Sequence, residues 1–344
     1  MSELENSVSL IIPAYNCIRF LPDMMTSVEQ QSCPPDELII VDDGSTDGTS
    51  EWLDLYAATH ENVSVLHIPN AGPSHARNLG MASAHGTWIQ FMDADDCIAP
   101  GMIAQMKAAI TEGTDLIVCG ALRQETGGIE HRLRFRKVGF WAKEQFPDLL
   151  IEMDYSDKRV LLNYVWNKWY RRSCIEDHVL RFDETLRLGE DFSFNCSFFK
   201  CVRGLTVIPD ALYQWKIAGN NSLSTRFVSN EPLRRKKMQA EFCSLAEYYH
   251  ILPEMMPAIL QSEGFQRWSA LSKIGLKQCD LPYEKKLAYL RTMLDAQGKK
   301  EVLAYFGTLD GKAAAVKAFL VKRDCLNLLY WTFRLKDGML RKHR

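Results

Sequence analysis

Leu38-Ile39-Ile40-Val41-Asp42-Asp43-Gly44-Ser45 is a short apolar run that ends in paired carboxylates. A buried strand of this kind delivers negative charge to the C-terminal edge of a sheet, and in open α/β folds ligands bind at that edge. The pattern returns at Trp88-Ile89-Gln90-Phe91-Met92, which runs into Asp93-Ala94-Asp95-Asp96. The carboxylates of the two turns repel one another unless something positive lies between them. A divalent metal carrying a phosphate-rich ligand meets that need.

Working outward, strands and helices alternate. Val8 to Ile12 is a buried strand stopped by Pro13, and a helix follows from about Ile18 to Gln31 with Leu21, Met24, Met25 and Val28 on one face. Strand 36–42 leads into a helix capped by Asp47, then Val63 to Ile68 forms a third strand. Asn70-Ala71-Gly72-Pro73 is a turn, with Pro73 suited to the first turn of a helix to about Ala84. Thr87 to Met92, a helix over Met102 to Ile110 and a strand over Asp115 to Gly120 continue the series. Repeated β-α units of this length predict a largely parallel sheet covered by helices on both faces. From about Ala121 to Thr225 aromatic and basic residues mix without a clear period, which predicts an irregular binding region, and from about Asn230 the chain reads as mainly helical.

Composition narrows the class. With 47% hydrophobic and 24% charged residues the chain has the make-up of a soluble globular protein, and a net charge of −2 gives no reason to expect nucleic-acid binding. The ten cysteines are scattered with no C-x-x-C, which suits reduced thiols rather than a disulfide framework or a zinc site. The acidic N-terminus lacks a signal-peptide pattern, and no run approaches the roughly 18 apolar residues that span a bilayer. The expected location is cytoplasmic. Charge is uneven, however: from Gly311 to Arg344 there are nine Lys/Arg against two Asp/Glu.

No G-x-G-x-x-G follows the first strand and no G-x-x-x-x-G-K-[ST] occurs, so dinucleotide hydride transfer and P-loop chemistry lose ground. In their place stand Pro13-Ala14-Tyr15-Asn16, Asp42-Asp43-Gly44-Ser45 and Asp93-Ala94-Asp95. With residues 8–16 (VSLIIPAYN), 40–49 (IVDDGSTDGT), 72–80 (GPSHARNLG), 91–96 (FMDADD), Trp166-Asn167-Lys168 and Gly189-Glu190-Asp191, this set resembles the family 2 glycosyltransferases over roughly residues 7 to 225. The resemblance implies an inverting enzyme of the GT-A fold, a Rossmann-like, mostly parallel sheet between helices, here followed by a helical extension. It implies a nucleotide-sugar-binding half over 1–120 and an acceptor-binding half over 121–229; residues 230–344 lie outside it and are expected to form the extension. It further implies a donor, UDP-linked by expectation, laid over the Pro13–Tyr15 edge. Tyr15 would then stack on the base, Asp43 bond the base, Asp93 sit near the ribose, and Asp95 with Asp93 hold Mg²⁺ or Mn²⁺. Such ions favour oxygen ligands and often take only one or two carboxylates beside substrate phosphates.

Each residue also has a plainer reading. Asp47 reads as a helix cap, Asp96 as a loop-orienting acid, and Asp42 is divided between ligand contact and satisfying backbone donors. Arg77 meets a phosphate or pairs with the aspartates, and pairing is preferred. Inverting transfer needs one general base. By the resemblance Asp191 is that base and Glu190 positions the acceptor, although both acids also suit a helix start. Trp166 offers a face to an acceptor sugar or fills the core, with Asn167 beside it. Lys216, ahead of the loop Asn220 to Ser224, would contact the diphosphate, where the family more often has arginine.

The implied partners are a nucleotide-sugar donor and a glycan or lipid-linked glycan acceptor, in envelope polysaccharide or lipopolysaccharide assembly; a homo-oligomer is left open. So is the C-terminal tail, where Phe319, Leu328, Trp331 and Phe333 interleave with basic residues. It forms either an amphipathic helix on an anionic inner-membrane surface or a helix packed on the protein with a solvated basic end. A nucleotidyltransferase that makes sugar-nucleotides and a non-catalytic nucleotide-sugar-binding protein are the rival readings.

Overall fold

The apolar runs become β1 (Val8–Ala14), β2 (Glu37–Asp42), β3 (Val63–His67) and β4 (Trp88–Phe91), which pair in parallel in the order β3-β2-β1-β4. The computed structural model describes residues 6–125, 128–152, 161–186, 189–217, 231–275 and 279–340, with 231–236 and 336–340 described by backbone alone. The expected loop Asn220 to Ser224 and the last basic residues, Arg341, Lys342 and Arg344, lie outside the described residues. The chain forms two compact units, Met1–Gly219 and Asn220–Arg344.

In the first unit α1 (Leu21–Glu29), α2 (Thr49–Ala57) and α3 (Pro73–Ser83) link the four strands. Side chains alternate across a strand. Leu10 and Ile12 therefore join the core beneath Leu21, Met24, Met25 and Val28 of α1, while Ile11 points to the other face, against Gly80 of α3. A Cβ on Gly80 would lie 2.4 Å from Ile11 Cγ2. We expect Gly80→Val to cost about 2–3 kcal/mol through overpacking. Thermal unfolding would measure this, and an added Ile11→Ala should recover part of the loss.

β1 to β3 proceed outward in one direction, and α3 then carries the chain back to place β4 on the far side of β1. The order thus reverses between β1 and β4, which makes their C-terminal ends the switch point where an open α/β sheet receives a ligand.

Beyond β4 the expected irregular region contains further strands. The sheet continues β4-β9-β6-β10-β5, with β5 (Cys97–Ile98), β6 (Leu116–Glu125), β9 (Lys168–Arg171) and β10 (Gly204–Lys216). β7 (Ile129–Leu133) pairs with β6, and β8 (Gly139–Ala142) with β10. β9 is antiparallel to both β4 and β6, so the sheet is mixed. β6 crosses the expected 120/121 division, and the two halves share one sheet. The pattern of β10 was hard to read because Pro209 falls in a register shift between Val207 and Ala211. Further helices of the unit are α4 (Met102–Ala108), α5 (Phe146–Glu152), α6 (Arg172–Asp177) and α7 (Glu190–Cys201).

The second unit holds α8 (Glu231–Tyr248), α9 (Leu252–Lys273), α10 (Tyr283–Met293), α11 (Ala296–Phe306), α12 (Lys312–Lys322) and α13 (Leu326–Leu340). Its core gathers Leu271, Ile274, Leu290, Met293, Val302, Val321 and Leu329. Among the described residues no helix is long and apolar enough to cross a membrane.

Candidate active site

The turn after β1 is stitched to the turn after β2. Asn16 N–H donates to Ser45 Oγ at 3.0 Å, Asn16 Oδ1 accepts from Thr46 N–H at 2.7 Å, and Cys17 N–H donates to Thr49 Oγ1 at 3.0 Å. Asn16 takes a left-handed φ of 47°, and the hydrogen bonds hold it there. Pro13 is in β1 opposite Val41, and Tyr15, just past the strand, is 54% exposed. An aromatic ring left in water beside a ligand edge is placed to stack on a flat ligand.

The acids of the second turn face inward. Asp42 is buried; its carboxylate accepts from Ser45 N–H and Ser50 Oγ, and His67 Nδ1 lies 2.9 Å away. Although burial works the other way, these partners hold its pKa below the usual carboxylate value. Asp47 accepts from Thr49 N–H at 3.1 Å and Ile18 N–H at 3.2 Å, so it ties the start of α2 to the first turn, while the cap position expected at Asp47 is taken by Gly48. Asp43 is also buried, with its two oxygens accepting from Ala71 N–H at 2.6 Å and Gly72 N–H at 2.8 Å. It anchors the loop that starts α3. Gly44, at φ 74°, lies where a Cβ would meet Asn70 N at 2.8 Å, so the close approach of these loops requires glycine.

Arg77 brings the distant acids together. It projects from α3 into a buried position where one terminal nitrogen donates to Asp93 Oδ1 at 2.9 Å. The other donates to Asp191 Oδ1 at 3.2 Å and Glu190 Oε1 at 3.3 Å. Burial opposes the charge on Arg77, but Asp191, then Asp93 and Glu190, outweigh it and raise its pKa further. The preferred reading, that Arg77 pairs with aspartates, holds. Beneath it lies an apolar floor in which Phe182 and Phe194 stack at 4.3 Å and Phe91 meets Phe182 edge-on at 5.2 Å. The Asp191 side chain, in contact with Arg77, is 15% exposed. Burial pushes its pKa up to about 7, with Arg77 opposing and Glu190 and Asp93 adding to the rise.

Asp95 and Asp96 diverge. Asp96 is buried, accepts from Tyr213 OH at 2.7 Å and from Lys216 N–H at 2.8 Å, and so orients the loop. The same Tyr213 hydroxyl accepts from Asp93 N–H at 3.1 Å. Asp95 stands at the mouth of a hollow shared with Asp96, Lys216, Phe20 and Asp23. Desolvation by the surrounding walls, then Asp93, pushes its pKa up to about 6, against the pull of Arg19. An acid made harder to ionise by its neighbours is stabilised by an added cation. Among the described residues no three His, Cys, Asp or Glu side chains gather as a metal cage. Asp95 and Asp93, which repel one another, are the carboxylates that could hold a hard cation there, and such ions commonly complete their shell with substrate phosphates and water. Lys216 lines that hollow, although its ammonium is 3.3 Å from Asp23.

Two expected acceptor residues need correction. Trp166 is only 3% exposed and stacks on Tyr213 at 4.2 Å, and Asn167 is fully buried, donating to Cys119 O at 2.7 Å. Neither presents a surface to an acceptor; both fix the wall behind the site. Sequence reading passed over Lys168, which is fully buried and donates to Asn167 Oδ1 at 2.7 Å and to Tyr164 O. Burial pulls it down to about 7, with Asp191 opposing. It also missed the Tyr213 bridge, although Tyr213 stands three residues before the basic residue that was noticed.

A sheet of this order, with its acid-bearing switch point, is the architecture of the GT-A glycosyltransferases. Residues 9–179 match Glycosyl transferase family 2, and that part of the chain belongs to the family. It is 28% identical over 247 residues to the glycosyltransferase EpsJ of Bacillus subtilis (strain 168), covering 71% of this chain and 70% of EpsJ. The structure of TarS residues 1–349 from S. aureus with UDP-GlcNAc superposes with a TM-score of 0.67 at 19% identity, covering 98% of this chain and 92% of that one. The mannosyltransferase PcManGT of Pyrobaculum calidifontis, solved with GDP-Man and Mn²⁺, gives 0.52 at 16% identity over 96% of this chain and 84% of its own. At these identities the structural likeness shows the fold. Against full-length TarS of Staphylococcus aureus (strain Mu50 / ATCC 700699) the sequence match spans 38% of the relative.

Proposed function

We propose that this chain transfers one sugar from a UDP-linked donor to a hydroxyl of a glycan or lipid-linked glycan, with inversion, in envelope polysaccharide assembly. The observation that carries this is the Arg77 junction. One guanidinium holds the strand-end acid Asp93 and the helix-start acids Glu190 and Asp191. Inverting displacement needs a donor on one side of the reacting carbon and a single base on the other. Asp191, with its pKa near 7, is suited to take the acceptor proton close to neutral pH. Glu190 positions the acceptor hydroxyl.

Tyr15 covers the base, Asp43 meets it with lone pairs left over from the Ala71 and Gly72 amides, and Asp93 lies beside the ribose. Asp95, with Asp93, would hold Mg²⁺ or Mn²⁺, and Lys216 faces the diphosphate. The cation, when bound, offsets the charge of the departing nucleoside diphosphate. Sugar-transfer names among the relatives and the nucleotide-sugars bound in two structural neighbours support the reading.

The deciding experiment incubates the protein with UDP-GlcNAc, UDP-glucose and GDP-mannose in Mn²⁺. Nucleoside diphosphate release supports the transferase. Pyrophosphate exchange would point to nucleotidyl transfer, and binding without turnover to a sensor. For Tyr15→Ala we expect the donor KM to rise about tenfold with kcat little changed, since base stacking on an aromatic ring is worth about 1–3 kcal/mol. An unchanged KM in steady-state kinetics would remove Tyr15 from the donor site.

A further inference from the structure

The last two helices carry apolar residues on a side that the core does not use. Leu320 and Val321 of α12, and Leu329, Tyr330 and Phe333 of α13, are buried in the second unit. Yet Val316 and Phe319 of α12, and Leu328, Trp331 and Leu335 of α13, are each more than half exposed. Residues 328, 331 and 335 are spaced three and four apart and so form one stripe along the helix. A helix that merely covers a core turns charged and polar residues outward. Here the outward stripe is apolar and large, the mark of a surface that meets something else.

Charge indicates what it meets. Lys322 and Arg323 are exposed at the turn joining the helices, and the Arg323 guanidinium lies 6.0 Å from the Phe319 ring. Asp324, one of only two acids after Gly311, is paired with Lys299 at 2.6 Å. A two-fold contact between copies of this chain would set this basic segment against itself. An anionic lipid surface takes both features, apolar rings at the headgroup boundary and basic side chains among the headgroups. The inner face of α13 packs on the protein, while its outer face is exposed at Leu328, Trp331 and Leu335.

We propose that the exposed face of α12 and α13 docks this chain on an anionic membrane surface. The stripe is too narrow to span a bilayer and rests in its interface, which would bring the second unit to a lipid-linked acceptor.

Flotation of the full chain with vesicles of phosphatidylglycerol and phosphatidylcholine tests this directly. We expect at least about tenfold more protein to float than with phosphatidylcholine alone, the excess shrinking as salt rises from about 0.05 M to about 0.5 M. Phe319→Ser with Trp331→Ser should abolish flotation while leaving the melting temperature and UDP binding unchanged. If the intact chain ignores anionic vesicles at low salt, or if the double variant floats as well as the parent, the proposal is overturned. Dimers by sedimentation that the double variant dissolves, with no vesicle binding, would instead assign the face to a second copy. Flotation reads no sugar transfer, so its failure leaves the proposed reaction untouched.

Discussion

Asp191→Asn is expected to reduce kcat by about 10²–10⁴-fold while leaving the affinity for UDP nearly intact, because a positioned base contributes about that much to proton transfer. The substitution keeps size and hydrogen bonding but removes the charge that takes the acceptor proton. It also removes a pH dependence. In the parent, burial raises Asp191 to about 7, so the active ionised form grows as pH rises through that value. The rate should climb from about pH 6 to pH 8 in the parent, and the residual rate of the variant should be flat. Stopped or coupled assays of diphosphate release across this range give both results. Near-normal turnover in the variant would exclude the role.

Arg77→Met should have the largest effect on stability. It leaves Asp93, Glu190 and Asp191 around a buried position with their shared counterion gone. Removing one partner of a buried ion pair costs about 3–5 kcal/mol. The sign of its pH dependence follows from the direction of the remaining shifts. Arg77 lowers the pKa of Asp191, so without it the carboxyl moves further above its unfolded value. A folded acid with a raised pKa is stabilised relative to the unfolded chain below that pKa and loses this as pH rises. The melting-temperature deficit of Arg77→Met should therefore be larger at pH 8 than at pH 5.5, and any remaining activity should show its ascending limb displaced to higher pH. A deficit that is constant with pH would mean that Arg77 acts through packing alone.

The first four strands were legible because each is a buried apolar run with carboxylates or a turn at its end: Asp42 and Asp43 at the end of β2, Asp93 after β4, the turn Asn70 to Pro73 after β3. Pro13, expected to stop β1, instead lies inside it opposite Val41. Alternation between such runs and helical periods leaves few arrangements. β9 and β10 were not legible. Lys168-Trp169-Tyr170-Arg171 looks basic and aromatic, yet Trp169 and Tyr170 are fully buried and Lys168 is enclosed with them. Only neighbours distant in the chain, such as Gln90, which accepts from Trp169 Nε1 at 2.6 Å, and Asn195, which accepts from Tyr170 OH at 2.7 Å, make such a strand stable.

At the site the residue types were readable and their partners were not. Arg77 and Asp191 are 114 positions apart, and no local pattern reports that they touch. Asp43 illustrates the other limit. Its charge drew attention as a ligand group, whereas much of its bonding capacity is spent on the Ala71 and Gly72 amides.

The antiparallel insertion of β9 has a consequence for how the chain acquires its shape. β4 and β6 are close in sequence but cannot pair with each other, because the strand between them arrives some fifty residues after β6 begins. Until Lys168–Arg171 has been made and threaded in, both strands present unpaired edges. Such late, distant pairing slows folding, and an open apolar edge invites another chain. The nascent protein is thus most vulnerable to aggregation in the interval between synthesis of β6 and arrival of β9. Closing the sheet and completing the wall behind Asp191 are one event.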